Sequence, residues 1–544
     1  MKLDRIEISG FRGIRRLSLT LDDLSVLIGE NAWGKSSLLD ALDMVLPPTG
    51  EFPPFNRSDF HIDHNFGDNR VNLLQIVLRW CETDQKEMTS AKYRRFCEVA
   101  NINDQGFRYV DYCTSATFID GKIETTRYFL DKNGDPHPVQ HHDVLAAKFV
   151  RIHPAIRVRD ARRLRSQDLD EHNGNGRLEK RLNNTCRRIM TIPGHVNDGE
   201  IRSGLNALRT LLDHYFAIQT HNRDKKMISR DRYKSLAQQN VHPLEQIVEG
   251  SANKRQGRLL LIGLLNAFIR ARGPKKLSAI ARPLVIFEDP EGRLHPTLLS
   301  QAWRIMRLIP MQKIITTNSG DLLNLVPLTS VRRLVRGPGN TEVYNMPPNR
   351  LSRDEERRVA FHVRIHRPSA LFARCWLLVE GETEVWLFNE LAKLSGYDLG
   401  AEGVHIIEFA QSGIKPLIKL AKSLGIEWHV VSDGDQAGQK YATTVRAQLN
   451  GAPERHHLTV LPSADIEHFL FDNGYEALFR DMAKVGHNIQ MPPRKIIMKA
   501  LKHFAKPDAA LAIVEYTVEQ GIDQVPVLLR WIVQRSVALA RGGG

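Results

Sequence analysis

A glycine-rich motif between an apolar strand and an apolar-periodic helix places the strongest constraint on the fold of this chain. It runs from Gly29 to Ser36 with the sequence GENAWGKS, a full GxxxxGK[ST] pattern. Such a loop turns backbone N–H groups toward phosphate oxygens, its lysine reaches the β- and γ-phosphates, and its hydroxyl joins Mg²⁺. The sequence therefore predicts a P-loop site for ATP and Mg²⁺. The residues expected to contact them are Gly29, Asn31, Gly34, Lys35, Ser36 and Ser37, with Ser36 also a metal ligand.

Two acids follow an apolar run near the middle of the chain. The run PLVIF (residues 283–287) precedes Glu288 and Asp289. In P-loop ATPases an acid at this position holds the Mg²⁺ shell, and a second acid can polarise the attacking water. We therefore predict that Glu288 belongs to the Mg²⁺–nucleotide site and that Asp289 acts in ATP hydrolysis. A further strand pattern, residues 313–317, ends at Asn318, which we expect at the same site.

Carboxylates also follow two apolar runs in the C-terminal part. The run WLLV ends at Glu380, and Glu384 lies in the first turn of the next helical pattern; the run WHVV ends shortly before Asp433 and Asp435. Strand ends of an open parallel α/β sheet gather along one edge, where ligands bind. Four carboxylates there would repel one another unless a hard cation neutralised them, and oxygen ligands favour Mg²⁺ or Mn²⁺ over zinc. A helix-capping Glu and an Asx-type turn are the alternative explanation.

Length, charge and cysteines narrow the class of protein. A chain of 544 residues is long enough for two or more domains, and its formal net charge of +14 points to a polyanionic partner, most simply nucleic acid. The five cysteines are scattered without a CxxC pair, so neither zinc nor a disulfide framework is indicated. There is no signal peptide pattern and no apolar run long enough for a membrane span. We expect a cytoplasmic protein without a membrane partner.

The remaining sequence divides by composition. Residues 71–149 are rich in strand patterns, including 71–80, 116–120 and 122–130. From about 160 to 244, charged and helix-favouring residues dominate, which predicts a helical insertion. This insertion is either a solvated arm or a surface that contacts another subunit or DNA. The basic, proline-punctuated segment 347–374 is typical of a linker between domains.

The order of these motifs resembles known families. Phe11-Arg12-Gly13, the P-loop, EDPEGRLHP from Glu288 and IITTNSGDLL from Ile314 resemble ABC-type ATPases of the SMC and RecF class. Glu380-Gly381 followed by Asp433-x-Asp435 resembles the Toprim domain, the metal-binding fold of topoisomerases, primases and certain nucleases. Joined in one chain, the two parts resemble the OLD (overcoming lysogenization defect) family of ATP-dependent endonucleases.

The resemblance implies an α/β protein with an ABC-type ATPase domain over residues 1–365 and a Toprim domain with C-terminal helices over 366–544. It implies a homodimer or higher homo-oligomer and a Toprim site that cuts DNA with two divalent metals. A late acid completes the metal set, with Glu467 the better match and Asp465 the alternate. The implied metal ligands are Glu380, Glu384, Asp433, Asp435 and Glu467. Lys506 resembles a lysine that stabilises the cleaved phosphate, with Lys499 and Lys502 as nearby alternatives.

Three departures from the family pattern concern ATP turnover. The signature motif is the degenerate Ser251-Ala252-Asn253-Lys254, and Asn318 stands where a switch histidine is expected. Asp289 is shorter than the usual Glu, so an attacking water would have to lie closer. We therefore expect ATP binding with slow or partner-dependent hydrolysis.

Together these observations predict an ATP-binding, metal-dependent DNA endonuclease in which the ATPase domain regulates dimer geometry and DNA access. The catalytic residues predicted for the two activities are Glu380, Asp433, Asp435, Asp289 and Lys506. The alternative is a RecF-like DNA clamp or loader whose Toprim domain does not cut. A topoisomerase is disfavoured because no tyrosine has the setting of a nucleophile, and a primase because zinc ligands are missing. The resemblance suggests a role in phage defence or DNA processing.

Overall fold

The computed structural model describes residues 1–30, 33–63, 69–159, 271, 277–278, 280–293, 296–309, 311–337, 339–365, 367–486, 488–504 and 506–542. Asn31, the helical insertion expected over 160–244 and the degenerate signature at 251–254 lie outside these residues. The chain divides into two compact units, residues 1–343 and 344–544.

The first unit is built on one large mixed sheet. Its strand order is β10-β11-β12-β3-β13-β14-β2-β1-β6-β8-β7, with β9 paired to β8, and β4 and β5 form a separate hairpin. The strands are β1 Lys2–Phe11, β2 Ile14–Thr20, β3 Leu24–Ile28, β4 Ile62–Asp63, β5 Asn69–Arg70, β6 Leu73–Cys81, β7 Asn101–Ile102, β8 Arg108–Ile119, β9 Lys122–Leu130, β10 Ala155–Val158, β11 Leu284–Glu288, β12 Lys313–Thr316, β13 Val331–Arg336 and β14 Thr341–Asn345.

The two halves of this sheet differ in direction and burial. Strands β10, β11, β12, β3 and β13 are parallel, whereas β1, β2, β6, β8 and β9 pair antiparallel. All residues of β11 and β12 are buried, as expected for parallel strands covered on both faces. In β6 buried residues alternate with half-buried ones, the period-2 pattern of a strand with one covered face. The predicted strands are thus confirmed between residues 73 and 130, whereas residues 142–152 form a helix.

Register in the parallel half brings the nucleotide motifs to one edge. Glu288 pairs with Thr316, and Thr316 pairs with Leu27, so β11, β12 and β3 end level with one another. The P-loop leaves the carboxyl end of β3, and Asn318 follows β12 directly. Ligands of open parallel sheets bind at such carboxyl ends.

Four helices of the first unit are described: α1 Lys35–Val45, α2 His142–Ile152, α3 Pro296–Leu308 and α4 Gly320–Leu325. Leu38, Leu42 and Val45 of α1 are fully buried and belong to the same hydrophobic core as Ile6 and Ile286 of the sheet. Burying side chains of this size stabilises a fold by about 1.5–3 kcal/mol each. This packing holds the first turn of α1 beside the strand ends.

The second unit has a four-stranded, fully parallel sheet. Its order is β16-β15-β17-β18. The strands are β15 Cys375–Val379, β16 Val404–Glu408, β17 Glu427–Ser432 and β18 Leu458–Val460. Its helices are α5 Arg353–Val359, α6 Glu382–Leu394, α7 Ile414–Ser423, α8 Gln436–Arg446, α9 Glu454–His457, α10 Ile466–Leu470, α11 Glu476–Met482, α12 Pro493–His503, α13 Lys506–Gln520 and α14 Val527–Ala540. An α/β fold is therefore present in both units.

The units divide about twenty residues before the predicted domain boundary at 365/366. Helix α5 contacts α7, and Lys419 Nζ lies 3.1 Å from both carboxylate oxygens of Glu355. The basic segment expected to be a linker therefore packs with the second unit. Across the part of the chain that the structure describes, no helix combines the length and apolar character that crossing a membrane requires.

Candidate nucleotide and metal sites

The predicted P-loop lysine is held across its own loop. Gly34 caps α1 with a left-handed φ of 95°, a conformation that glycine adopts without strain. Lys35, the first residue of α1, is 5% exposed. Its Nζ donates to the carbonyl oxygen of Gly29 and, at 2.6 Å, to Oδ1 of Asn318. The structure thus brings together three of the predicted nucleotide residues, Gly29, Lys35 and Asn318.

Two carboxylates act on Lys35. Burial lowers the pKa of its ammonium group, and the charges of Asp289 and Glu291 oppose that shift. Asp289 has a left-handed φ of 43°, and its Oδ1 accepts a hydrogen bond of 2.9 Å from Thr316 Oγ1. The charge of Asp289 therefore acts on Lys35, the lysine predicted to bind phosphate, and its catalytic role stays a prediction.

Glu291 is a residue of this site that the sequence analysis missed. Its Oε1 accepts hydrogen bonds from Thr317 Oγ1 at 2.9 Å and from the backbone N–H of Asn318 at 2.8 Å. Glu291 thereby ties the segment after β11 to the segment after β12, whose Asn318 contacts Lys35. The only sequence signal was a third acid in EDPE, which composition alone does not separate from a solvated turn.

Glu288 has a different neighbour. Its Oε2 accepts from Arg157 Nε at 2.9 Å, and both side chains are buried. Arg157 Nη1 also donates to Asp40 Oδ1 at 2.6 Å and to Asp43 Oδ2 at 2.8 Å. Arg157 therefore links α1 to β11 through three carboxylates, a network that no local sequence pattern indicated. The metal role predicted for Glu288 stays a prediction.

Removing Arg157 is expected to destabilise the first unit. Arg157→Ala would remove the buried cation that Glu288, Asp40 and Asp43 share and leave only the half-exposed Arg159 as a cation common to them, at a cost of roughly 3 kcal/mol. The measurement is urea unfolding of the full chain. Arg159→Ala is the matched control, because Arg159 contacts the same three carboxylates but is 40% exposed, with Asp43 at 2.7 Å and Asp40 and Glu288 at 3.7 Å; its cost should stay below about 1 kcal/mol. Equal losses in both variants would contradict a structural role for the buried network.

The C-terminal carboxylates lie at adjacent strand ends. Glu380 directly follows β15, Asp433 directly follows β17, and the two strands are paired in the sheet. Glu384 lies in the first turn of α6 and is 8% exposed. A Cβ atom on Gly381 would lie 3.2 Å from Glu384 Oε2, so the glycine leaves room for that carboxylate.

The negative charges of four other acids act on the carboxyl group of Asp433. Its pKa is raised to about 8, first by burial and then by the carboxylates of Glu384, Glu380, Asp465 and Glu467. Acids that follow β15 and β17, and acids at the start of α6 and α10, therefore act on one another electrostatically at this edge of the sheet. We call Glu380, Glu384, Asp433, Asp465 and Glu467 the acid cluster.

Asp435 and Asp465 also cap helices. Asp435 Oδ1 accepts from the Gly438 backbone N–H at 2.7 Å at the start of α8. A Cβ atom on Gly438 would lie 1.9 Å from the carbonyl oxygen of Asp433, so only glycine fits there. Asp465 Oδ1 accepts from the backbone N–H of His468 at 2.8 Å and contacts its Nδ1 at 2.7 Å. These bonds engage Oδ1 of Asp465, and the choice of Glu467 over Asp465 as the late metal ligand stays a prediction.

The donor chemistry suits a hard divalent cation. The acid cluster offers carboxylate oxygens, the ligands that Mg²⁺ and Mn²⁺ prefer. Among the described residues, no three His, Cys, Asp or Glu side chains are already arranged closely enough to hold an ion. The group is therefore an electrostatic cluster rather than a preformed cage. Lys506 begins α13, which packs against α6, the helix that carries Glu384.

Comparisons with known proteins agree with this two-part design. Residues 1–370 match a family model described as "Protein of unknown function (DUF2813)", and residues 371–435 match "Overcoming lysogenization defect protein-like, TOPRIM domain". The chain is 43% identical to "Uncharacterized protein YbjD" of Escherichia coli (strain K12), with all of both chains covered. It is 23% identical to "OLD nuclease" of Thermus scotoductus (strain ATCC 700910 / SA-01), covering 94% of this chain and 98% of that protein.

Solved structures give weaker likenesses. The C-terminal region of the Burkholderia pseudomallei OLD protein is 17% identical with a TM-score of 0.26, covering 32% of this chain and 100% of that one. The SMC head domain from Thermotoga maritima is 12% identical with a TM-score of 0.31, covering 64% and 100%. At these TM-scores neither likeness supports a conclusion.

Residues 371–435 of the chain are thus similar to the Toprim domain of OLD-like proteins. The chain belongs to the family described as "Protein of unknown function (DUF2813)".

Proposed function

We propose that this protein is an ATP-binding DNA endonuclease that hydrolyses phosphodiesters with Mg²⁺ or Mn²⁺ at the acid cluster. The observation that carries the proposal is the convergence of four acids on Asp433 at the edge of a parallel sheet. Such repulsion costs stability, and a fold gains from it only if a cation is bound there. The OLD-like Toprim match and the OLD nuclease relative support the same reaction class.

In the proposed hydrolysis the acids and Lys506 would have different roles. Glu380, Glu384, Asp433 and Glu467 would hold two cations, with Asp435 as a further ligand beside its capping bond. Bound divalent cations supply Lewis acidity that lowers the pKa of the attacking water and stabilises the leaving oxygen. Glu380 would accept a proton from that water. Lys506 would place a positive charge near the cleaved phosphate.

The first unit would bind ATP with Mg²⁺. Lys35 would exchange its bond to Asn318 for the β- and γ-phosphates, and Ser36 would join the Mg²⁺ shell. Glu288 would order that shell, and Asp289 would orient the attacking water. We propose that ATP sets the geometry of a homodimer in the cytoplasm and so controls DNA access. The resemblance to the OLD family supports a role in phage defence or DNA processing.

Metal dependence is the direct test of the nuclease proposal. Purified protein and supercoiled plasmid should yield nicked or linear DNA with Mg²⁺ or Mn²⁺, and none in EDTA, because the proposed hydrolysis needs divalent cations held by the acid cluster. The assay is run with and without ATP. Plasmid that stays supercoiled with both metals and under both conditions would refute the nuclease proposal.

ATP turnover should be slow. Asn318 cannot act as the switch histidine, and Asp289 is held by Thr316 Oγ1 on a side chain shorter than Glu. We expect steady-state phosphate release well below about 1 per second, the low end of ordinary enzyme turnover. Brisk release by the purified protein alone would contradict this expectation.

A second candidate function is a RecF-like DNA clamp or loader with a Toprim domain that does not cut. The observation favouring it is that, in the part of the chain that the structure describes, the acids do not already form an ion cage. It predicts that Asp433→Ala leaves the biological function unchanged while Lys35→Ala abolishes it. The nuclease proposal predicts that both variants lose function.

A further inference from the structure

Helix α12 carries an unusual distribution of charge. Its sequence, PRKIIMKALKH, contains Arg494, Lys495, Lys499 and Lys502 and no acid. All four cations are exposed, and none forms an ion pair with another described residue. Lysines at i, i+4 and i+7 lie along one stripe of a helix. We call these four side chains the basic face of α12.

The opposite side of α12 fixes its position. Ile496, Ile497 and Ala500 are buried and belong to the same hydrophobic core as Ile466 and Leu470 of α10. Helix α12 contacts α10 directly, and packed helices lie about 8–10 Å apart. Because Asp465 caps α10 and Glu467 lies in its first turn, α12 packs against the helix that begins at the acid cluster.

We propose that the basic face of α12 binds the phosphate backbone of the DNA whose phosphodiester lies at the acid cluster. The inference rests on the proposed function and names the surface that holds its substrate.

Charge balance supports this assignment. The acid cluster repels phosphates, so a DNA segment reaching it needs cations beside it as well as any metal within it. From Arg494 to Lys502 the helix rises about 12 Å, the length of roughly three phosphates along one strand at 3.4 Å each. A duplex turn extends about 34 Å, so DNA seated at the acids is long enough to reach α12, which packs against α10.

The surroundings favour nucleic acid over an acidic protein segment. Four cations on a rigid helix, with no interleaved acid, supply charge without a side-chain pattern that would select a particular peptide. A surface that binds the phosphate backbone of DNA requires only positive charge. Met498 is also exposed on this helix, and because it is uncharged it does not interrupt the row of cations.

The test measures DNA binding apart from cleavage. A fluorescent duplex of about two helical turns is titrated with the full chain in EDTA, and anisotropy is recorded from about 50 to about 200 mM salt. The variant combines Arg494→Gln, Lys495→Gln, Lys499→Gln and Lys502→Gln. Losing four phosphate contacts should lower the slope of log Kd against log salt by roughly 2 to 4 and weaken binding at least ~10-fold.

Two controls make the result specific. Lys86→Gln, Arg94→Gln, Lys122→Gln and Lys132→Gln make the same charge change at exposed positions of the first unit, and should alter affinity less than about 3-fold. The conservative set Lys495→Arg, Lys499→Arg and Lys502→Arg keeps the charge and should keep the slope. Thermal unfolding checks that every variant is folded.

The outcomes separate this inference from the nuclease proposal. If the α12 variant binds duplex with the parent's slope, or if both glutamine sets weaken it equally, the inference is overturned and an acidic protein segment becomes the better occupant. If the slope falls as expected while the parent never cuts plasmid, α12 is a DNA surface and the nuclease proposal fails. A parent chain that binds no DNA overturns the inference about α12, whereas the plasmid assay with metal decides the nuclease proposal.

Discussion

Asp433→Asn is expected to lower metal-dependent DNA cleavage by at least ~1,000-fold, about 4 kcal/mol of activation free energy. Asp433 lies at the end of β17, and four other acids raise its pKa to about 8. Asparagine keeps the shape of the side chain but removes the charge that a divalent cation needs from it. The measurement is the initial rate of plasmid nicking at saturating Mg²⁺ or Mn²⁺.

The matched control is Asp523→Asn. Its side chain is 99% exposed and pairs weakly with Arg530 at 3.7 Å, so the same chemical change should leave cleavage within about 2-fold of the parent. Equal cleavage by the Asp433 and Asp523 variants would remove the acid cluster from the reaction and favour the clamp or loader.

Stability should change in the opposite direction to activity. The folded-state pKa of Asp433 lies above the ordinary Asp value, so the folded chain holds a proton that the unfolded chain releases. In EDTA this acid therefore costs the parent stability as pH rises from about 4 to about 8. Asp433→Asn lacks that cost, so its melting temperature should exceed the parent's increasingly over the same range. A variant that melts earlier than the parent at pH 8 would mean that its inactivity reflects damage to the fold.

The strand ends and their acids could be predicted because the signals are local. An apolar run followed at once by an acid and a glycine indicates a buried strand and its turn. Strand β9 coincides with the predicted residues 122–130, whereas β8 begins at Arg108, well before the predicted residue 116. The first half of β8 is continuously buried and lacks the alternation that reveals a strand with one solvated face.

Contacts between distant segments could not be predicted in this way. Glu291 acquires its role from Thr317 and Asn318, and Arg157 joins Asp40 to Glu288 across more than a hundred residues on each side. Neither pairing has a periodic or spacing signature. The same holds for the boundary between the units, because α5 belongs to the second unit through its contacts with α7.

Lys35→Ala is expected to weaken ATP binding by roughly 100- to 1,000-fold, because losing one partner of a buried, hydrogen-bonded charge pair costs about 2–5 kcal/mol. In the structure the Lys35 ammonium is already desolvated and held by neutral oxygens of Gly29 and Asn318, so phosphate oxygens can replace them without further burial. Titration with a fluorescent ATP analogue measures the affinity.

The control is Lys148→Ala, an exposed lysine of the same unit, whose affinity for ATP should match the parent's. Any effect of ATP on DNA cleavage should disappear in Lys35→Ala and persist in Lys148→Ala. If Lys35→Ala still binds ATP with the parent's affinity, phosphate recognition does not depend on this ammonium. The bond between Lys35 and Asn318 would then be a structural tie between α1 and β12, and the nucleotide site would have to be sought elsewhere on the first unit.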